Sequence, residues 1–388
     1  MPSEQVELSQ LNGRVLAEDA FAMVNSPSAD VSLKDGYAIK SEDIADASLK
    51  NPIHLKLIGN VAAGEHWDGE IETGTAVRIL SGAPIPSGAE AVVSEEFADE
   101  QGNRVVITAD AEPGRNILPK GTDVRQGERL LAAGDVLMPA RIGLLASAGH
   151  TSAPVIRQSR VAIIATGDEV LAPGAPLIDG KLFASNMVTL AAWCNYYGMK
   201  VTTSVVADNP STIEEKLLRH LPNQDALITT GGAWSGDRDF IIKLLDKLGW
   251  RKVYHRVRIG PGKAIGFGLL ARKPVFCLPG GPPSNYVAFL QLALPGLQKY
   301  AGYKNPGLNS IVAELSEDVH GMTNWTQFKF GLFELFDGLT RFLPIKGLSR
   351  LQDMARAEGV LMIPEGVDHI RAGEIIRVQM LAWPLLHM

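Results

Sequence analysis

The chain has 388 residues, of which 46% are hydrophobic and 21% charged, with a formal net charge of −6 and a pI near 5.8. That length exceeds one typical domain and suggests two to four. The acidic balance argues against nucleic acid or an anionic membrane as partner, so a bound anion must be held by local backbone amides and a few basic side chains. The two cysteines, Cys194 and Cys277, sit in apolar runs and read as buried free thiols rather than a disulfide frame. The eight histidines are scattered and no CxxC or HExxH spacing occurs, which excludes an ordinary zinc site. With no secretory leader pattern and no apolar run long enough to span a bilayer, a soluble cytoplasmic protein is expected.

Residues 1–22 carry a short helical pattern around VELSQL. From 23 to 121 the texture changes to short alternating segments (HLKLIG, AVRIL, AEAVV, RVVIT) separated by Gly- and Pro-rich turns, which predicts a compact β domain. In ARIGLLASAGH, residues 140–150, Ile142, Leu144, Leu145 and Ala148 share one helical face. Residues 156–302 alternate strand and helix. RVAIIAT is a wholly apolar strand, and a helix follows with Ser185 as its expected N-cap, a stripe of Leu190, Trp193, Cys194 and Tyr197, and Gly198 as its stop. KVTTSVV is the next strand; Ser211 and Glu214 suggest a capping box opening the helix after it. ALITT precedes a helix striped by Ile241, Leu244, Leu245 and Leu248, and PVFCL runs through GGPPS into a further helix. This alternation predicts a doubly wound, mostly parallel α/β sheet covered on both faces. From about 303, SIVAEL, QFKFGLFEL, VLMIPE and EIIRVQML read as a small β barrel or sandwich.

Ligands of open parallel sheets sit beyond the carboxyl ends of the strands. Three loops there carry chemistry. The first places Thr166, Gly167, Asp168 and Glu169 after an apolar strand, where glycine admits close backbone approach and the carboxylates can hold Mg²⁺. A polar turn is an equally good reading of that tetrapeptide alone. The second, Gly231-Gly232 followed by Asp237, Arg238 and Asp239, reads as a backbone-amide cradle for phosphate beside further carboxylates, although glycine-rich turns after strands are common. The third, Leu278-Pro279-Gly280-Gly281-Pro282, stiffens a turn feeding a helix, and a rigid turn is its simplest explanation. Lys263 in a Pro-Gly-Lys turn is an anion partner or a solvated lysine. Asp208 ends a strand, where capping the next helix is the first expectation because Pro210 and Ser211 follow. No Ser-His-Asp set, Walker loop or strand-borne GxGxxG is present. Acids, glycines and a few cations suit metal-assisted chemistry at a phosphate.

With these motifs in order (GRVLAED, SLKDGYAI, AVRILSGAPIPSGAEAVV, GRNILPKGTD, ARIGLLASAGH, VAIIATGDEV, GG…GDRD, PGK and LPGGPPS), nearly the whole chain resembles the molybdopterin molybdenumtransferase family, MoeA and the E domain of gephyrin. The resemblance implies an elongated domain from residues 1–22 and 122–155, an inserted β domain at 23–121, a molybdopterin-binding α/β domain at 156–302 and a C-terminal β barrel at 303–388. It implies a homodimer whose active site is shared between subunits, with a molybdopterin adenylyltransferase and molybdoenzyme maturation factors as further partners. The implied reaction joins molybdate to adenylylated molybdopterin and releases AMP with Mg²⁺. By motif position it assigns catalytic roles to Asp35, Asp123, Glu169, Asp208 and Asp239, with Glu169, Asp208 and Asp239 as metal ligands. It assigns ligand binding to Ser81, Thr166, Gly167, Asp168, Ser185, Asn186, Gly231, Gly232, Arg256, Lys263, Pro279, Gly280, Pro282 and Ser284.

The chain also departs from the family. Leu118 and Gly260 replace an arginine and a lysine, Trp234 and Gly281 alter two loops, Ala184 replaces an acid, Ser81 stands for threonine and Arg256 for lysine. Lys120 and Arg258, two residues from the lost cations, are the expected substitutes. These departures keep two other readings open: a cofactor carrier or scaffold without turnover, and an adenylyl-transfer activity suggested by Gly231, Gly232, Arg238 and Asp239.

Overall fold

The computed structural model describes residues 1–231, 240–347 and 350–381. Its N-terminal segment is not helical. Ser3–Glu7 is a strand paired antiparallel with Ser152–Ile156, and a single 3₁₀ turn, Leu8–Gln10, is all the helix found before residue 22. The distant partner strand satisfies backbone groups that a lone helical turn would leave open. Val6, Leu8, Leu11 and Leu16 then join Leu137, Leu145 and Val155 in one small core, into which the Pro139–Ser147 helix turns Leu145. Between these two ends, Ala20–Phe21 pairs with Arg129–Leu131, so the intervening chain leaves and returns at neighbouring points.

That intervening chain forms a six-stranded sheet in the order 91–94, 36–39, 75–79, 53–61, 104–107, 98–101. Its strands alternate as expected for period two: Tyr37 and Ile39 enter one apolar cluster, and Ala38, between them, enters another.

In the α/β region the elements are β1 (Arg160–Thr166), α1 (Ser185–Tyr196), β2 (Lys200–Val206), α2 (Pro210–His220), β3 (Ala226–Thr230), α3 (Phe240–Lys247), β4 (Arg251–His255), β5 (Gly266–Leu270), β6 (Lys273–Leu278) and α4 (Pro282–Ala288). The helix of α4 continues through Phe289–Ala293 into Leu294–Tyr300. The sheet order is β2-β1-β3-β6-β5-β4; the first four strands are parallel, and β5 and then β4 are added by antiparallel pairing. Val161, Ile163 and Ala165 of β1 pack towards α1 and α4, while Ala162 and Ile164 pack with Ile213, Leu217, Ile241 and Leu245 of α2 and α3. Burial on both faces is why β1, β3 and β6 read as unbroken apolar runs, and each fully buried aliphatic side chain contributes roughly 1.5–3 kcal/mol.

Two caps differ from expectation. Ala184, not Ser185, precedes α1 and provides no side-chain cap. At α2 the cap is Asn209, whose side chain accepts from the N–H groups of Ser211 and Thr212, so neither a Ser211–Glu214 box nor Asp208 caps that helix. Pro210 at the first helical position fixes Asn209 one residue before it.

The C-terminal strands 326–336, 339–344, 310–315, 375–380 and 359–363 form a closed five-stranded barrel, sealed by pairing of the last with the first. One short helix, α5 (Arg350–Arg356), interrupts it and packs Met354 against the α/β core beside α4.

Candidate functional site

The connection from β1 to α1 and the one from β3 leave neighbouring strands towards opposite faces of the sheet. This is the switch point where a crevice opens at the carboxyl edge. Three loops meet there. Gly167 has φ +147, and a Cβ on it would lie 2.8 Å from both carboxylate oxygens of Glu169, so glycine lets that carboxylate fold back over the strand end. Asp168 ties this loop to β2: its Oδ1 accepts the N–H of Asp208 at 3.0 Å, and its carbonyl accepts from Lys181 Nζ. Gly231 has φ +103 and donates its N–H to the Leu278 carbonyl at 3.1 Å. A Cβ there would lie 2.4 Å from the Thr166 carbonyl oxygen, so the first two loops touch backbone to backbone. The third loop is held by two asparagines. Asn186 Nδ2 donates to the Gly280 carbonyl at 2.7 Å, and Asn285, 1% exposed, donates to the Pro279 carbonyl at 2.9 Å.

These loops enclose a cavity of about 440 Å³. Seven of the residues singled out by sequence line it: Thr166, Glu169, Ser185, Asn186, Gly231, Gly280 and Pro282. Its other walls are largely apolar, including Val170, Leu182, Phe183, Met187 and Leu351. The Thr166 and Thr229 hydroxyls are buried with no hydrogen-bond partner among the described residues, so polar atoms near the strand ends remain to be satisfied. Volume, apolar walls and a few convergent polar groups match a site for a heterocycle bearing polar substituents.

The remaining expected residues lie elsewhere or behind the cavity. Gly262 has φ +119, and a Cβ on it would stand 3.3 Å from both the Ser284 carbonyl oxygen and the Ala288 nitrogen, so the Pro-Gly-Lys turn lies close behind α4. Lys263 extends its ammonium over the Trp325 ring at 5.2 Å. Arg256 adopts φ +70 and donates its N–H to Ile265. Arg258 is paired with Glu365 at 3.1 Å. In the β domain, Asp35 Oδ1 accepts the Ser81 N–H at 2.7 Å, joining two expected residues. Asp123 is exposed, and its N–H bonds to Ser26. None of Asp35, Ser81 and Asp123 lines the cavity. Gly232, Asp237, Arg238, Asp239 and Trp234 lie outside the described residues. Among the described residues, no group of three His, Cys, Asp or Glu side chains could hold a metal ion.

Sequence reasoning did not single out Asn285, Phe183, Arg350 or Leu351. Asn285 follows directly on the Pro-Pro-Ser start of α4, a position from which a side chain can reach back to the turn. Arg350 and Leu351 had no signal, because they come from the C-terminal region. Both cysteines are buried and neither forms a disulfide, and burial pushes Cys194 up to about 12.

The fold and cavity define an open α/β ligand-binding protein with its site at the switch point of a parallel sheet. Comparison with known proteins narrows this class. A family model for the MoeA N-terminal region (domain I and II) matches residues 1–149, and one for a probable molybdopterin binding domain matches residues 162–299. A Mycobacterium tuberculosis protein named molybdopterin molybdenumtransferase 2 is 32% identical over 96% of this chain and 94% of its own length. A Nostoc molybdopterin molybdenumtransferase is 30% identical over 97% of this chain and 88% of its own. The crystal structure of a molybdopterin biosynthesis MoeA protein from Pyrococcus horikoshii superposes with a TM-score of 0.83 at 29% identity, covering 97% of this chain and 94% of that one. The chain belongs to the MoeA family of molybdopterin molybdenumtransferases.

Proposed function

We propose that this protein acts in molybdenum cofactor biosynthesis as a transferase that joins molybdate to adenylylated molybdopterin and releases AMP. The observation that supports this reading is that Thr166, Gly231 and Gly280, from three different loops, line one largely apolar cavity of about 440 Å³. In this reading the pterin lies against the apolar walls and Asn186 orients it. Glu169, which lines the cavity, faces the reacting phosphate end in this reading.

Glu169 and Asp208 supply hard oxygen donors of the kind Mg²⁺ takes, and Mg²⁺ is often held by one or two carboxylates together with substrate phosphates. The close tie between Asp168 and the Asp208 amide supports placing these acids together, with Asp239 as the third expected ligand. Bound there, Mg²⁺ would neutralise charge on the phosphate oxygens. We assign the four units at 1–22 with 122–155, 23–121, 156–302 and 303–388 as the working division of the chain. A second copy would then bring Asp35, Ser81 and Asp123 to the cavity; exposed Phe21 and Met138 on the elongated unit, with exposed Met23 and Val24 where the chain leaves it, support a homodimer. No helix of the described residues is long and apolar enough to cross a membrane, in keeping with a cytoplasmic role.

The test is to incubate purified protein with adenylylated molybdopterin, molybdate and Mg²⁺. AMP release coupled to formation of molybdenum-bearing cofactor is the expected result. Tight pterin binding without AMP would instead establish the carrier reading.

A further inference from the structure

Only two charged side chains line the cavity among the described residues, and they differ in origin. Glu169 comes from the loop after β1; Arg350 comes from α5, whose chain belongs to the C-terminal barrel. Arg350 is exposed, and its guanidinium makes no hydrogen bond or ion pair with the described residues. Its placement is not an accident of a loose loop. Two turns of α5 are anchored by Met354, which packs against the α/β core, and by the contact of α5 with α4. Next to Arg350, Leu351 is 51% exposed although it too lines the cavity, so its apolar surface stays open on the ligand side. A cation and an apolar side chain, adjacent in sequence and presented across a domain boundary, complement a heterocycle with an anionic substituent.

The electrostatic need is specific. The chain carries a net charge of −6, and Glu169 places a carboxylate in the same cavity. An anion entering it meets repulsion unless a cation is supplied locally. Lys263 stacks on Trp325 and Arg258 is paired with Glu365, and neither lines the cavity. We infer that Arg350 is the specificity residue that pairs with the phosphate of the ligand, so that the protein selects phosphate-bearing pterins over their dephosphorylated counterparts. This rests on the reading of the cavity as a pterin site and deepens it. A guanidinium offers forked donors matched to phosphate oxygens, which a lysine ammonium reproduces only as a point charge.

The experiment titrates wild type, Arg350→Ala and Arg350→Lys with molybdopterin and with its enzymatically dephosphorylated form, by intrinsic fluorescence at two salt concentrations. Wild type should prefer the phosphorylated form. Arg350→Ala should bind it roughly 10- to 100-fold more weakly, with weaker salt dependence, while its affinity for the dephosphorylated form stays within twofold. Arg350→Lys should fall between. The unchanged affinity for the dephosphorylated form shows that the variant is folded with its cavity intact. Equal binding of the phosphorylated form by wild type and Arg350→Ala overturns the assignment, as does an equal loss of both forms. If wild type binds neither form, the pterin reading fails first and the assignment fails with it.

Discussion

Replacing Gly231 by alanine tests whether the first two loops must meet backbone to backbone. Gly231 sits at φ +103, where an L residue is strained by about 1–3 kcal/mol. Its new Cβ would also stand 2.4 Å from the Thr166 carbonyl oxygen and 3.0 Å from the Thr166 hydroxyl. An ordinary contact begins at 3.4 Å, so the loops must part by about 1 Å. Both neighbours are tied down, Thr166 by its strand and Gly231 by the Leu278 carbonyl, so the displacement falls on the cavity wall. A misplacement of that size costs about 100-fold at a positioned site. The expected result for Gly231→Ala is therefore a stability loss of about 2–3 kcal/mol by urea unfolding and at least a 100-fold loss of pterin affinity by fluorescence titration. Gly280→Ala is the internal control. Its Cβ would meet the Gly231 Cα at 3.7 Å, an ordinary contact, and its φ lies outside the left-handed region. That variant should retain stability within about 1 kcal/mol. Normal stability and normal binding in Gly231→Ala, or equal damage from the two substitutions, would refute the reasoning.

Asn285→Ala removes a 1%-exposed donor from the Pro279 carbonyl and should cost about 1–3 kcal/mol in urea unfolding; a cost below 0.5 kcal/mol would mean that water replaces the bond freely (about the usual scatter of surface substitutions). Because Cys194 and Cys277 are buried, and burial holds Cys194 near 12, a thiol reagent at pH 8 should titrate neither in the native protein and both in guanidinium; rapid native labelling would show that the α/β core opens. In the barrel, the Ala372 N–H and then His369 hold the Asp318 carboxyl below its ordinary 3.8. A depressed folded value contributes stability above the unfolded value, and that stability is lost as pH falls through the lower folded value. Asp318→Asn should thus be less stable than wild type at pH 7, with the gap closing below pH 3.8; a gap that widens in acid would contradict the assignment.

Much of the α/β unit was legible because strands buried on both faces must be continuously apolar: RVAIIAT, ALITT and PVFCL are β1, β3 and β6. Seven cavity residues, Thr166, Glu169, Ser185, Asn186, Gly231, Gly280 and Pro282, were legible for a related reason, since loops leaving such strands carry the glycines and polar groups, whereas the apolar wall of Leu182, Phe183 and Met187 carried no such mark. The N-terminal strand was not. Ser3–Glu7 is mostly exposed and owes its conformation to Ser152–Ile156, so its own residues hold no alternation to read. The caps shifted by one or two residues because Ser, Asn and Asp near Pro210 can each cap, and only Asn209 reaches the Ser211 and Thr212 amides. Arg350 was invisible for a topological reason. It reaches the cavity from beyond the α/β unit, on a helix whose docking is decided by Met354.

The central claim is that one cavity, built by the loops after β1, β3 and β6, holds the pterin. Hydrogen–deuterium exchange with and without adenylylated molybdopterin tests it directly. Bound ligand should slow exchange in peptides spanning 166–171, 182–187, 278–285 and 350–356. Protection absent from all four, with slowed exchange instead around the small cleft of Lys34, Arg115 and Asn116 in the β domain, would contradict it.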